Sequence, residues 1–232
     1  MKIKISCYLT IFNPPEELAR KISSNFTLDN PVWLENQRVG RWNGQTYRYL
    51  RFYGQKENRI IVPRGSLRLI RWFCKELDIR YELEDNRRVL PEVEITFNGT
   101  LKGYQKQAVT DVLSRDSNVL QAPTGSGKTV MALGIIAERK QPTLIIVHSK
   151  ELLNQWLARI ETFLNIPKNE IGIIGNGKRR IGEKVTVGII NSIYPIADDL
   201  KQHFGHIVVD ECNRTTSRTF QESVSVFDCK YM

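Results

Sequence analysis

Residues 122–129 read Ala-Pro-Thr-Gly-Ser-Gly-Lys-Thr and stand between a short apolar run, Asn118 to Gln121, and a helical pattern, Val130 to Ala137. A loop of this composition needs a strand to deliver it and a helix to lead away from it, which restricts the chain to an α/β arrangement. The amides of Gly125, Ser126 and Gly127 can turn inward at a polyphosphate, because glycine tolerates the dihedrals and puts no side chain in the way. Pro123 and Thr124 line the same loop. Lys128 is placed to neutralise terminal phosphates and the Thr129 hydroxyl to ligate magnesium. Ala122 stands where the strict pattern has glycine, so a second motif has to carry part of the argument.

That motif lies about eighty residues on. The apolar run His206-Ile207-Val208-Val209 ends in Asp210-Glu211-Cys212-Asn213. Open α/β sheets bind ligands outside the carboxyl ends of their strands, so Asp210 is placed to fix the magnesium held at Thr129, and Glu211 to polarise an attacking water.

With both motifs in place the chain resembles the superfamily 2 helicases and translocases, in the branch whose acidic box reads DECH. The resemblance extends over most of residues 99–220. Leu101 to Val109 looks like the glutamine motif, which implies that Gln105 reads the adenine edge. Val147 to Trp156 resembles the motif called Ia, implying that Ser149 and Lys150 hold a nucleic-acid phosphate, and Val187 to Ile193 resembles the next nucleic-acid segment. ATP and Mg2+ follow as the implied cofactors, with Lys128 and Glu211 as the catalytic pair. Asn213 replaces the histidine that this box normally carries. The family's Ser-Ala-Thr motif is expected where the chain reads Cys229-Lys230-Tyr231-Met232, so the motor domain is expected to be truncated, without the second RecA-like domain and its arginine. The resemblance therefore implies a chain that binds ATP better than it hydrolyses it.

The formal charge of +9 is concentrated in residues 38–75, where ten basic side chains face the single acid Glu57 and the rest of the chain sums to zero. Seven rings fall in the same stretch: Trp42, Tyr47, Tyr49, Phe52, Tyr53, Trp72 and Phe73. Basic groups release counterions from a phosphate backbone, and exposed rings stack on bases. We read the charges as a nucleic-acid surface and the rings as the core of a small sheet. Leu67, Ile70, Cys74 and Leu77 repeat at helical spacing, which leaves Arg68, Arg71 and Lys75 on the opposite side, with Arg41 and Arg64 nearby.

Strands are predicted at Lys2 to Ile11, Thr46 to Tyr53, Arg59 to Val62 and Ile79 to Leu83, and helices at Pro15 to Ser24 and Leu67 to Leu77. Gly40-Arg41-Trp42-Asn43-Gly44 reads as a turn. This order resembles the small amino-terminal domain of the UvsW-type phage helicases, implying an accessory DNA-binding domain. Beyond residue 100 the prediction alternates helix 103–115, strand 118–121, helix 127–139, strand 143–147, helix 149–164, strands 171–174 and 185–190, helix 192–203 and strand 206–209. Such alternation means a parallel sheet covered on both faces. Gly175 to Arg180 reads either as a flexible loop near phosphate or as a solvated hairpin turn.

The expected fold is α/β: a small basic α+β domain at 1–90, a linker at 91–100, and an incomplete RecA-like P-loop domain at 101–232. No run is long enough to span a bilayer and no small-residue cleavage site follows the start, so a cytoplasmic protein is expected. Four cysteines and three histidines lack metal-ligand spacing; the cysteines read as reduced thiols and the histidines as strand-end or surface residues. The expected function is the amino-terminal half of an ATP-dependent DNA helicase or translocase acting on branched or single-stranded DNA, in need of a second RecA-like domain or chain. Two alternatives stand beside it: a nucleic-acid-binding module without motor activity, and a fragment of a restriction-enzyme translocase.

Overall fold

Ile3 and Ile5 alternate with Lys2 and Lys4, so a strand here has one apolar and one charged face. In the computed structural model, which describes residues 1–212 and 218–232, the predicted first strand is a hairpin of β1 (Lys2–Ile5) and β2 (Tyr8–Phe12), with Ile3 opposite Ile11 and Ile5 opposite Leu9. The elements that follow are α1 (Glu16–Asn25), β3 (Thr27–Asp29), α2 (Pro31–Arg38), β4 (Tyr49–Arg51), β5 (Gly54–Lys56), β6 (Arg59–Pro63), α3 (Leu67–Glu76) and β7 (Glu82–Asp85). β5-β6-β2-β1-β7 form one sheet, and β3 pairs with β4 in a separate ribbon. Antiparallel register places Leu9 and Ile11 beside Val62 and Ile60. One sheet face is thus wholly apolar, and Leu18 and Ile22 of α1 with Ile70, Phe73 and Cys74 of α3 cover it. A shift of one residue in any of these pairings would turn the apolar set to solvent.

Only part of the predicted aromatic core is core. Phe73 is buried and Tyr53 packs against the cluster, but Trp42, Tyr47, Tyr49, Phe52 and Trp72 are exposed. The reason is local: the ribbon and α2 lie away from the main sheet, and no residue from 31 to 52 is buried.

Contacts group the chain into two units, Met1–Asn86 and Arg87–Met232. Residues 91–100, expected as a linker, lie against the second unit: Val93, Ile95 and Phe97 join its main apolar cluster, and Val93 N–H donates to Lys140 O at 2.9 Å.

The second unit contains α4 (Gly103–Leu113), α5 (Lys128–Arg139), β8 (Thr143–Val147), α6 (Lys150–Leu164), β9 (Gly172–Gly175), β10 (Lys178–Arg180), β11 (Val185–Ile189), the short turns α7 (Ile190–Ile193) and α8 (Ala197–Leu200), β12 (His206–Val209) and α9 (Arg218–Ser225). Its sheet runs β10-β9-β11-β8-β12, parallel except for the edge strand β10. All five residues of β8 are buried. Ile145 and Val147 meet α5 and α6 on one face, while Leu144 and Ile146 meet α7, α8 and Phe204 on the other. The residues read as a loop or hairpin turn, 175–180, form that turn with β10. The predicted helix 192–203 is instead broken into short turns, since Pro195 removes a donor and restricts Tyr194.

The predicted strand at 118–121 is absent. Tyr231 bridges His206 in parallel, and Met232 exchanges hydrogen bonds of 3.0 Å with Asp116 and Asn118, so this ladder reaches Asn118 and goes no further. Val119, next in line, is 78% exposed. On the same side Cys229 pairs in parallel with Arg88, whose guanidinium grips the Asp228 carboxylate at 3.0 and 2.9 Å. No described helix is long and apolar enough to cross a membrane.

His206, expected at a strand end or the surface, begins β12 but is buried. Thr143 donates its hydroxyl proton to Gln141 O at 2.8 Å, so the 3.2 Å contact between Thr143 Oγ1 and His206 Nδ1 requires the proton on the ring. The imidazole is neutral, and burial, reinforced by the Arg139 charge, pushes its pKa down to about 3. The unfolded histidine titrates near ~6.5 and takes up the proton first, so this contribution to stability is complete above that pH and is lost as the pH falls toward 3. Chemical denaturation at successive pH values should show a slope from this group of about 1.4 kcal/mol per pH unit across the window, removed in His206→Gln.

Candidate functional site

The phosphate loop is built by its two positive-φ glycines. Gly125 has φ +81° and Gly127 has φ +83°, the left-handed region that favours glycine. Gly127 has a second reason: a Cβ there would lie 2.5 Å from Gln105 Nε2. Ser126 N–H donates to Pro123 O at 3.2 Å and closes the turn from which α5 starts.

Gln105 sits in the first turn of α4, with its amide fixed from both ends. Its Oε1 accepts from Lys102 N–H at 2.9 Å, and its Nε2 donates to Ser126 O at 2.9 Å. The Tyr104 hydroxyl donates to the same carbonyl at 3.0 Å. Each amide still has one N–H and one lone pair to offer. The Lys128 ammonium folds back into the curve of the loop and donates to Ala122 O at 2.9 Å and to Pro123 O at 3.4 Å. The Ser126 hydroxyl is buried without a hydrogen-bond partner. A buried polar atom without a partner is costly, and one set in a ring of amides beside an ammonium fits a bound polyphosphate.

Asp210 follows β12 and continues its ladder, donating N–H to Ile146 O at 3.0 Å. Its carboxylate is held at both oxygens: Oδ2 accepts from the Trp156 indole at 2.8 Å, and Oδ1 accepts from Glu211 N–H at 3.0 Å. Glu211 is exposed, with φ +54°, and turns the chain out of the sheet. α5 packs against β12, so Lys128, Thr129, Asp210 and Glu211 belong to neighbouring elements of one sheet end. Asn213 lies outside the described residues.

Trp156 entered the sequence reading only as the last residue of the Ia-like segment, and not as the residue that orients Asp210. A buried indole needs an acceptor for its N–H, which is the one sequence signal that could have prompted the search. Ser149 caps α6, accepting from Leu152 N–H at 3.3 Å. Hydrogen bonds from its own amide and then from the Ser149 hydroxyl hold the Glu151 carboxyl below its ordinary range, so that carboxylate competes for the first turn of α6, where a phosphate beside Ser149 and Lys150 was expected.

In the first unit, Arg68, Arg71 and Lys75 share the exposed side of α3, Arg64 is half-buried in the turn before it, and Arg41 is exposed on the 39–48 loop.

A parallel sheet whose helix α5 begins at such a loop, with an acidic pair on a neighbouring strand, defines a RecA-like P-loop domain. Residues 98–232 match the family described as the Type III restriction enzyme, res subunit, and the chain belongs to that family. The DNA 3'-5' translocase XPB2 of Sulfurisphaera tokodaii is 31% identical over 157 residues, which are 68% of this chain and 34% of the relative. A probable helicase of Escherichia phage T5 is 28% identical over 153 residues, 66% of this chain and 33% of that protein. The chain spans about a third of the length of these curated relatives. In fold it is similar to the UvsW helicase of bacteriophage T4, with a TM-score of 0.71 at 19% identity over 100% of this chain and 90% of that one. The resemblance to superfamily 2 helicases and the α/β fold class are both borne out.

Replacing Trp156 with Phe keeps a ring in the core and removes the donor to Asp210. A hydrogen bond to a charged group contributes about 1.5–3 kcal/mol. Urea denaturation should show a loss of that order at pH 7, and the loss should vanish when Asp210→Ala, which has no acceptor, is the background.

Proposed function

We propose that the second unit is the nucleotide-binding first motor domain of an ATP-dependent DNA helicase or translocase, and that the first unit is a basic accessory domain that contacts the nucleic acid. The observation that carries the reading is the loop that starts α5, with Gly125 and Gly127 at positive φ and the Lys128 ammonium folded into its curve, and the acidic turn after β12, the strand that α5 packs against, is in keeping with it. The name of one relative, a DNA 3'-5' translocase, supports DNA as the polymer.

Bound Mg–ATP would supply the phosphoryl group and the metal charge that screens it. Gly125 and Gly127 would present amides to the phosphates, joined by Ser126 once its N–H leaves Pro123 O, with Pro123 and Thr124 shaping the turn before them. Lys128 exchanges its loop carbonyls for phosphate oxygens, replacing neutral acceptors with charged ones. The hydroxyl of Thr129 and the carboxylate of Asp210 hold the metal, and Glu211 orients a water. The remaining N–H and lone pair of Gln105 suit an adenine edge. Its existing bond to Ser126 O would then join base and phosphate recognition. Lys150, and Ser149 once Glu151 is displaced, meet the nucleic-acid backbone. Arg41, Arg64, Arg68, Arg71 and Lys75 do so in the first unit. A second RecA-like domain would complete the cycle by supplying an arginine for the transition-state charge.

Equilibrium binding of a fluorescent ATP analogue with Mg2+, and turnover with and without DNA, test this. Lys128→Ala should weaken nucleotide binding about 10- to 100-fold, the span of one charge-assisted hydrogen-bond set. Unchanged binding in that variant would overturn the reading. Turnover in the wild type should be low and should rise with DNA.

A further inference from the structure

Residues 31–52 carry regular structure without a core. α2 and β4 both lie here, and no residue in the span is buried. The segment is nevertheless fixed. The buried Asn30 takes Val32 N–H on its Oδ1 at 3.0 Å and donates to Tyr47 O at 2.8 Å, and its own N–H donates to Arg48 O at 2.8 Å. Arg41 N–H to Asn36 O at 2.7 Å and Thr46 N–H to Asn43 O at 2.8 Å close the loop between them. The result is an arm whose backbone is held in place while it buries almost nothing.

What it holds out is aromatic and basic. Trp42 is 92% exposed and Tyr47 is 81% exposed. Arg48 sits 5.1 Å from the ring centroids of both Trp33 and Tyr49. Arg38, Arg41, Arg48 and Arg51 face one acid in the span, Glu35, which is already paired with Arg38 at 2.8 Å. Single exposed apolar residues are ordinary, but several exposed rings on one ordered arm mark a binding surface. The charge decides the occupant. Trp, Tyr and Arg occur at protein interfaces too, but a one-sided excess of positive charge around exposed rings complements a polyanion that also offers bases to stack, which is how single-stranded nucleic acid is bound. A duplex hides the faces of its bases and offers such rings nothing.

We infer that the 31–52 arm is a binding site for unpaired nucleotides, with Trp42 and Tyr47 as stacking platforms and Arg41 and Arg48 meeting the adjoining phosphates. This rests on the accessory-domain reading above and adds a chemical class to it: the arm selects unpaired bases, and the exposed α3 face, Arg68, Arg71 and Lys75, provides charge that single and double strands share.

The test uses the whole 232-residue chain and fluorescence anisotropy with two probes, a labelled oligodeoxythymidylate and a blunt duplex of the same length. Trp42→Ala/Tyr47→Ala should weaken oligodeoxythymidylate binding about tenfold or more, the effect of losing base stacking, and change duplex binding by less than about twofold. The salt dependence of the residual binding should keep its slope, because no phosphate contact is removed. Arg68→Ala/Arg71→Ala/Lys75→Ala should weaken both probes and flatten the slope. Thermal unfolding of both variants should match the wild type, since the altered side chains are exposed. The inference is overturned if the arm variant binds oligodeoxythymidylate as the wild type does, or if it loses both probes equally. Should the α3 variant still lose both in that case, the accessory-domain reading survives alone. If the wild type binds neither probe, both readings fall. Sedimentation that shows a wild-type dimer and a monomeric arm variant would assign the arm to a second copy of the chain and would also overturn the inference.

Discussion

β8 has a strand on either side and apolar elements on both faces, and the arrangement of the second unit follows from that. Parallel strands buried in this way must be apolar along their whole length, as Thr143-Leu144-Ile145-Ile146-Val147 nearly is, and the one polar member bonds to Gln141 and His206. Register with β11 and β12 brings their carboxyl ends within a residue of each other, with Ile189 beside Val147 and Val209 beside Ile146. The side chains that follow these strand ends are freed from the core, which is what the proposed site would need. Burying the strand stabilises the domain, and these ends are where the proposed chemistry would be placed.

Rigidity at that end is supplied from outside the two motifs. Trp156, from α6, fixes one oxygen of Asp210, and Gln105 and Tyr104, from α4, fix the carbonyl of Ser126. Each contact joins a helix to a residue of the loop or of the acidic turn, so the phosphate seat and the metal seat are oriented by helices that lie over the sheet. The first turn of α6 also holds Ser149 and Lys150, two helical turns from Trp156. The helix that faces the expected polymer contact is therefore the helix that orients the expected metal ligand.

Features that are local in sequence were legible there. The 122–129 loop, the apolar strands at 143–147 and 206–209 and the amphipathic helix at 67–76 each carry their own periodicity or their own glycines. Features that depend on a distant partner were not. The run at 118–121 has the composition of a strand, but a strand exists only where a neighbour takes up its hydrogen bonds, and that neighbour, Tyr231–Met232, reaches only Asn118. Trp42 and Tyr47 look like core to any composition-based reading, and only the placement of the β3–β4 ribbon shows them to be exposed. α2 has no buried face to reveal it, although Asn30 followed by Pro31 carries the capping signal that marks its start. Trp156 had no signal for its partner, since the acceptor lies 54 residues away.

The parallel bridge between Arg88 and Cys229 ties the first residues of the second unit to its last, with the Arg88–Asp228 pair beside it. Two parallel strands drawn from opposite ends slide along each other, so tension applied across this unit loads the bridging hydrogen bonds in shear, all at once rather than one after another. Arg88 N–H to Asp228 O and Lys230 N–H to Arg88 O share that load with the ion pair. The sheet behind them is shielded from the pull until this clasp gives way. A domain clasped in this manner can transmit force across itself as a solid body.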